Sequence, residues 1–105
     1  MVSLKNMSRK VKILLRWLVP SGKLPRGQEF SVPARFDHQG EDWTSNGWSL
    51  TITTEGVPDA EGRQIGTARF LMSEAPHDWL SVGKRFMIFS SKALAQGLVE
   101  QVLSD

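Results

Sequence analysis

The C-terminal stretch VGKRFMIFSSKALAQGLVEQVLSD, residues 82–105, decides which fold the sequence predicts. It contains an unbroken apolar run (FMIF), a short polar turn (SSK) and a mixed segment, residues 93–103, that holds Gly97. A helix over residues 93–103 would place apolar side chains four residues apart on one stripe. As a strand, the same segment alternates poorly, and Gly97 would mark a bulge that bends it. The pattern alone leaves helix and strand open.

Length and composition indicate one globular domain. The chain has 105 residues, of which 40% are hydrophobic and 23% charged, enough for a single core. It has no cysteine, which excludes disulfides and thiolate metal sites. The apolar segment at residues 11–19 is interrupted by Arg16 and is too short to span a membrane. We expect a cytoplasmic protein without a membrane segment, with a frayed N-terminus at residues 1–9 and one domain at residues 10–105.

Most of the chain alternates with a period of two, which is typical of strands. The clearest cases are KVKILLRWL at residues 10–18 and WSLTITTE at residues 48–55. Further strands are predicted at residues 30–37, where Pro33 demands an edge, a bulge or a bend, and in the FMIF run. Another is predicted at residues 65–72. The side chains predicted to face inward are Val11, Ile13, Leu15, Trp17, Trp48, Leu50, Ile52, Ala68, Phe70 and Met72.

The end of the chain resembles the end of the third domain of elongation factor Tu. That family closes with a glycine, an Arg-Phe strand, a short turn, a strand carrying glycine and a Val-Leu exit. The matching residues here are Gly83, Arg85, Phe86, Ile88, Leu94, Gly97, Val99, Val102 and Leu103. VKILLRWL resembles the domain's first strand, and SGKLPRGQEFSVPARF its following turn and second strand. The resemblance covers roughly residues 10–104.

The resemblance implies an all-β fold, a closed six-stranded antiparallel β-barrel like the C-terminal domain of the translation factor, with the final segment as a strand. Closure would also remove the exposed sheet edges that short strands otherwise leave. In that family the barrel contacts transfer RNA and the nucleotide-exchange factor and carries no chemistry. The chain contains no G-x-x-x-x-G-K-[ST] loop, so no nucleotide is expected to bind.

Charge is distributed unevenly along the chain. Residues 1–36 carry eight basic side chains and one acidic one, whereas residues 37–78 carry eight acidic and two basic side chains. One interpretation is a basic face that binds RNA or transfer RNA, and the other is cancellation between segments that folding interleaves. Lys10 shares the outward face of its strand with two of the candidates for RNA contact. Those candidates are Lys12, Arg16, Lys23, Arg26 and Arg35.

Two tryptophans lie in predicted polar loops. Trp43 and Trp79 could anchor a protein partner, because Trp is enriched in binding hot spots, or could fold as a lid onto the barrel end. Trp17 and Trp48 are predicted to lie in the core. Our leading hypothesis is therefore a non-catalytic module that binds another protein, and RNA binding is the alternative.

Catalytic or metal-binding chemistry is the third hypothesis. DHQGED at residues 37–42 gathers three carboxylates with His38, which could hold a hard divalent cation, but its spacing matches no known metal loop. His77 and Asp78 could form a general base with its orienting acid, but no nucleophile stands out nearby. We predict no enzyme activity, no metal and no cofactor.

Overall fold

The computed structural model of the chain describes residues 9–25 and 27–104. Within these residues six strands and three short 3-10 helices follow one another. In chain order they are β1 (Lys10–Trp17), a 3-10 helix (Ser21–Lys23), β2 (Glu29–Phe36), a 3-10 helix (Trp43–Asn46), β3 (Trp48–Thr54), β4 (Arg63–Phe70), a 3-10 helix (His77–Trp79), β5 (Arg85–Phe89) and β6 (Ala93–Ser104). Of the segment predicted to be frayed, residues 1–8 lie outside the described residues, and Arg9 donates a hydrogen bond to the carbonyl oxygen of Leu80 at 3.1 Å.

The six strands close into one antiparallel barrel. Their order around it is β1-β4-β3-β2-β5-β6, and β6 pairs back onto β1. Every neighbouring pair is antiparallel. The prediction of an all-β, closed six-stranded antiparallel barrel is therefore confirmed. Closure leaves no strand at a sheet edge within the described part of the chain.

The final segment is a strand, as the resemblance implied, and β6 is the longest strand at 12 residues. The predicted bulge at Gly97 is wrong, because Gly97 stays in register with Leu15 on one side and Phe86 on the other. The pairing register instead skips Leu94, Glu100 and Leu103.

These skipped residues explain the poor alternation of the sequence. An extra residue in one strand shifts every following side chain to the other face. Leu94 and its neighbour Ala95 are consequently both buried, while Glu100 and its neighbour Gln101 are both exposed. The irregularity that suggested a helix is the signature of a bent strand.

The barrel interior is filled by inward side chains from every strand, as expected for a barrel this small. The inward stripe predicted for β1 is confirmed. The largest fully buried side chains are Phe36, Phe70, Ile13, Leu15, Leu50, Ile52, Leu80, Ile88, Val11 and Val99.

Gly97 is required by the packing of this interior. A Cβ atom placed on Gly97 would overlap the ring of Phe86. That ring is only 2% exposed, so it has no free space into which it could move. Because Gly97 has no side chain, the Phe86 ring of β5 can pack directly against the backbone of β6.

Two predictions for β4 are wrong. The strand runs from Arg63 to Phe70 instead of over residues 65–72, and Met72 lies beyond its end with 47% of its surface exposed. Gln64, which lies just outside the strand predicted at residues 65–72, is buried and accepts a 2.9 Å hydrogen bond from the Trp17 indole nitrogen. Because Gln64 is polar and its side chain is hydrogen-bonded inside the barrel, the apolar alternation of the sequence does not predict its burial.

The turn before β4 fixes where that strand begins. The Asp59 carboxylate accepts hydrogen bonds from the backbone N–H groups of Arg63 and Glu61 at 2.8 and 2.9 Å. The backbone N–H of Arg63 is the main reason that the pKa of the Asp59 carboxyl lies below its usual value. Asp59 also forms an ion pair with the Arg63 side chain at 3.1 Å.

The pairing between β2 and β5 is short, and it ends beside Pro33. Pro33 stays in register with Ser49 of β3, but the pairing of β2 with β5 covers only three residues, beginning at Ala34. Because proline has no N–H to donate, the seam between β2 and β5 ends beside it. Pro33, for which the sequence predicts an edge, a bulge or a bend, therefore shortens the pairing of β2 with β5.

Replacing Gly97 with alanine should destabilise the protein by about 1–3 kcal/mol, because the new methyl group overpacks the barrel against Phe86. Urea unfolding would measure the loss. The matched control is Gly22→Ala, since nothing lies within 4 Å of a Cβ there, and its stability should change by no more than about 0.5 kcal/mol. Adding Phe86→Leu to Gly97→Ala should relieve part of the overlap in a double-mutant cycle. Equal stabilities for the two alanine variants would contradict this packing.

Candidate binding surfaces

Two loops meet at one end of the barrel. β2 and β4 run in the same direction and end at Phe36 and Phe70, whose ring centroids are 5.7 Å apart. The loop at residues 37–47 follows β2, and the loop at residues 71–84 follows β4. The barrel topology therefore brings together two loops that are well separated in sequence.

Trp79 closes this end of the barrel. Its ring centroid lies 5.4 Å from that of Phe36 and 6.5 Å from that of Phe70, and the Phe36 contact is edge-on. The next residue, Leu80, is completely buried. Trp79 is half-buried and packs against the core, as the lid interpretation of this residue describes, and it also lines a groove.

Trp43 lies outside the barrel wall. Its ring stacks on that of Phe89 in β5, with centroids 4.9 Å apart and planes 29° from parallel. The side chain is half-buried and does not belong to the core cluster. Trp48, predicted to be a core residue, is also only half-buried and packs against the core from the same side.

These three tryptophans line one open groove of about 500 Å³, which we call the aromatic groove. The structure thus brings Trp43 and Trp79 together and adds Trp48, which the sequence assigned to the core. The ring of His38 contacts Trp79 edge-on at 4.3 Å. The groove is lined by His38, Gln39, Gly40, Asp42, Trp43, Trp48, Glu74, Pro76 and Trp79.

The charges that line the aromatic groove are two carboxylates. Asp42 comes from one loop and Glu74 from the other, and among the described residues no Lys or Arg side chain lines the groove. Within residues 9–25 and 27–104, neither carboxylate forms an ion pair. The groove therefore combines aromatic faces with negative charge.

A second groove continues from the first along the barrel wall. It has a volume of about 460 Å³, and Trp43 and Trp48 line both grooves. Its floor includes Pro33 and Phe89, where the seam between β2 and β5 ends. Together the two grooves form an extended surface that is joined at Trp43 and Trp48.

The basic residues predicted to contact RNA do not share one face. Lys12 and Arg16 lie on the outer face of β1, and Arg35 lies on the outer face of β2. These two strands are separated by two others in either direction around the barrel, so they lie on opposite sides. Lys23 is exposed at the end of its 3-10 helix, and Arg26 lies outside the described residues.

The two histidines lie near the Trp79 lid but form no acid–base pair with a carboxylate in the described part of the chain. His77 Nε2 lies 2.7 Å from the carbonyl oxygen of Ser73, so this nitrogen carries the proton. Its Nδ1 is buried without a hydrogen-bond partner among the described residues. Within those residues, no group of three His, Asp or Glu side chains could hold a metal ion.

Comparison with family models, characterised proteins and solved structures finds no match to this chain. The resemblance to the third domain of elongation factor Tu stays a prediction. Within residues 9–25 and 27–104, no helix has the length and apolar character needed to cross a membrane.

Proposed function

We propose that this protein is a non-catalytic binding module and that the aromatic groove is where it binds another protein. The observation that carries the proposal is the convergence of Trp43, Trp48 and Trp79 on one open groove. Tryptophan is among the residues most enriched in the hot spots of protein interfaces, since it buries a large apolar area and retains a polar N–H.

The shape of this surface favours a protein as the partner. Small-molecule sites usually enclose most of their ligand, whereas the aromatic groove is open and continues past Trp43 into the second groove. A protein interface needs roughly 800 Å² from each partner, which only an extended surface can supply. A groove of similar volume beside Leu14 and Ile65 has no tryptophan in its lining.

The proposal includes two further points. We infer a barrel of the translation-factor type from the residues of β1 and β6 that resemble the third domain of elongation factor Tu. We also infer a cytoplasmic location. The sequence has no cysteine and so forms no disulfides, which is typical of proteins in a reducing compartment.

Trp43→Ala should weaken partner binding with little loss of stability. Trp43 stacks on Phe89 outside the core, so its removal should cost no more than about 1.5 kcal/mol of folding free energy. Affinity for a captured partner should fall about 30-fold, the equivalent of about 2 kcal/mol. The measurement is capture from nuclease-treated host lysate, followed by titration of the partner that mass spectrometry identifies.

The matched control for Trp43→Ala is Val57→Ala. Val57 is 82% exposed in the loop between β3 and β4 and does not line the aromatic groove. It should keep full affinity. A partner that binds wild type and Trp43→Ala equally would exclude the aromatic groove as the binding surface.

RNA binding is the second candidate function, and the outer face of β1 favours it. Lys10, Lys12 and Arg16 all point outward there, and within the described residues none of them forms an ion pair. Lys12 and Arg16 lie about 13 Å apart along the strand, a spacing that reaches more than one phosphate.

Double replacement Lys12→Glu with Arg16→Glu should weaken binding of a transfer RNA probe if this second candidate is correct. The salt dependence of the affinity should also fall, by about one to two units in the slope of log K against log salt. The control is Arg35→Glu, a charge reversal on the opposite side of the barrel. Equal losses in both variants would indicate non-specific attraction, and no binding by wild type at low salt would exclude this function.

A further inference from the structure

We infer that the aromatic groove binds an arginine side chain presented by the partner protein. This inference rests on the proposed function and specifies the chemistry of its partner. Three tryptophans that line the groove supply aromatic rings for a planar cation, and Asp42 and Glu74 supply the opposite charge. A guanidinium group satisfies both at once, because it stacks on aromatic rings and donates paired hydrogen bonds to carboxylates.

The carboxylates are not needed by the fold around them. Asp42 occupies the N-cap position of the 3-10 helix Trp43–Asn46, yet its side chain makes no capping hydrogen bond. Glu74 accepts only a long 3.4 Å bond from the hydroxyl of the neighbouring Ser73. Both side chains are exposed, so both can turn toward a ligand.

The two loops that form the groove are negative beyond these two residues. Residues 37–47 and 71–81 together carry five carboxylates and no Lys or Arg. Arg9 lies at this end of the barrel and donates to Leu80, but it does not line the groove. Charge complementarity therefore favours a cationic ligand over an acidic or purely apolar one.

The aromatic walls add to this preference. The electron-rich face of an indole attracts cations, and tryptophan does so more strongly than phenylalanine or tyrosine. Trp43 and Trp79 lie in different loops, and Trp48 is the first residue of β3. Rings from three separate elements therefore line the groove. An ammonium group would gain the charge attraction without the stacking, and we therefore expect lysine to bind more weakly.

The test uses a peptide probe and the indole N–H signals of the protein. The probe is acetyl-Gly-Ser-Arg-Ser-Gly-amide, and its matched neutral form carries citrulline, which keeps the planar shape but lacks the charge. Signals of Trp43, Trp48 and Trp79 should shift on titration. The signal of Trp17 should not, since its N–H is buried and bonded to Gln64. The citrulline form should bind at least about ten-fold more weakly.

Removal of the carboxylates supplies the second arm. Asp42→Asn combined with Glu74→Gln keeps the side-chain shapes and should weaken the arginine probe at least about five-fold. The control pair Glu55→Gln with Glu100→Gln removes the same charge from exposed positions outside the groove and should leave the affinity unchanged. Equal binding of the arginine and citrulline probes would overturn the inference, as would unshifted indole signals at about 10 mM probe.

The same variants separate this inference from the proposed function. If Trp43→Ala prevents capture of the protein partner while Asp42→Asn with Glu74→Gln does not, the groove binds protein but not through a cation, and the inference is wrong. If the partner is still captured by Trp43→Ala, the proposed function itself is wrong. Loss of capture in both variants, with the control pair unaffected, supports both.

Discussion

The fold depends on the close approach of Gly97 to the ring of Phe86. Gly97 is one of four consecutive residues of β6, residues 95–98, that pair with β1 on one side and with β5 on the other. A side chain there would overlap a ring that is itself packed 5.5 Å from Phe36 in the core. The barrel therefore closes without strain only when the residue at this position lacks a Cβ atom.

The proposed binding surface follows from that closure. A closed antiparallel barrel sends β2 and β4 out at the same end, and their loops carry Trp43 and Trp79. The pairing of β2 with β5 is short and ends beside Pro33. On the outer barrel surface at this place, Trp43 packs on Phe89 instead of entering the core. The same architecture puts the cations of β1 and β2 on opposite sides, so the basic N-terminal third does not become one face.

Tryptophan serves three different purposes in this molecule. Trp17 fills the interior and gives its N–H to Gln64, so that its polar atom is satisfied. Trp79 packs against the core and also lines the groove. Trp43 contributes little to the core and is the anchor that we propose for a partner. The position of each tryptophan on the barrel thus decides whether it fills the core or lines the aromatic groove.

Much of the fold could be predicted because most strands bury one face and expose the other. This rule holds for β1, where the alternating stripe predicts the inward residues. The rule fails in β6, because three residues that the pairing skips each shift the alternation. It also fails at the start of β4, because Gln64 is polar and yet buried with a hydrogen bond. The groove could not be predicted from the sequence, since it forms only where two distant loops converge. Trp48 was assigned to the core for the same reason, because its pattern does not reveal what lies beyond the strand end.

The most direct test of this account is a nuclear Overhauser experiment centred on Gly97. A closed barrel predicts cross-peaks from the backbone of Gly97 to that of Leu15 and also to that of Phe86, since both lie opposite it in antiparallel strands. Contacts between residues three apart over residues 93–103, without both cross-strand sets, would show a helix packed on an open sheet. That result would contradict the closed barrel and remove the basis for the aromatic groove.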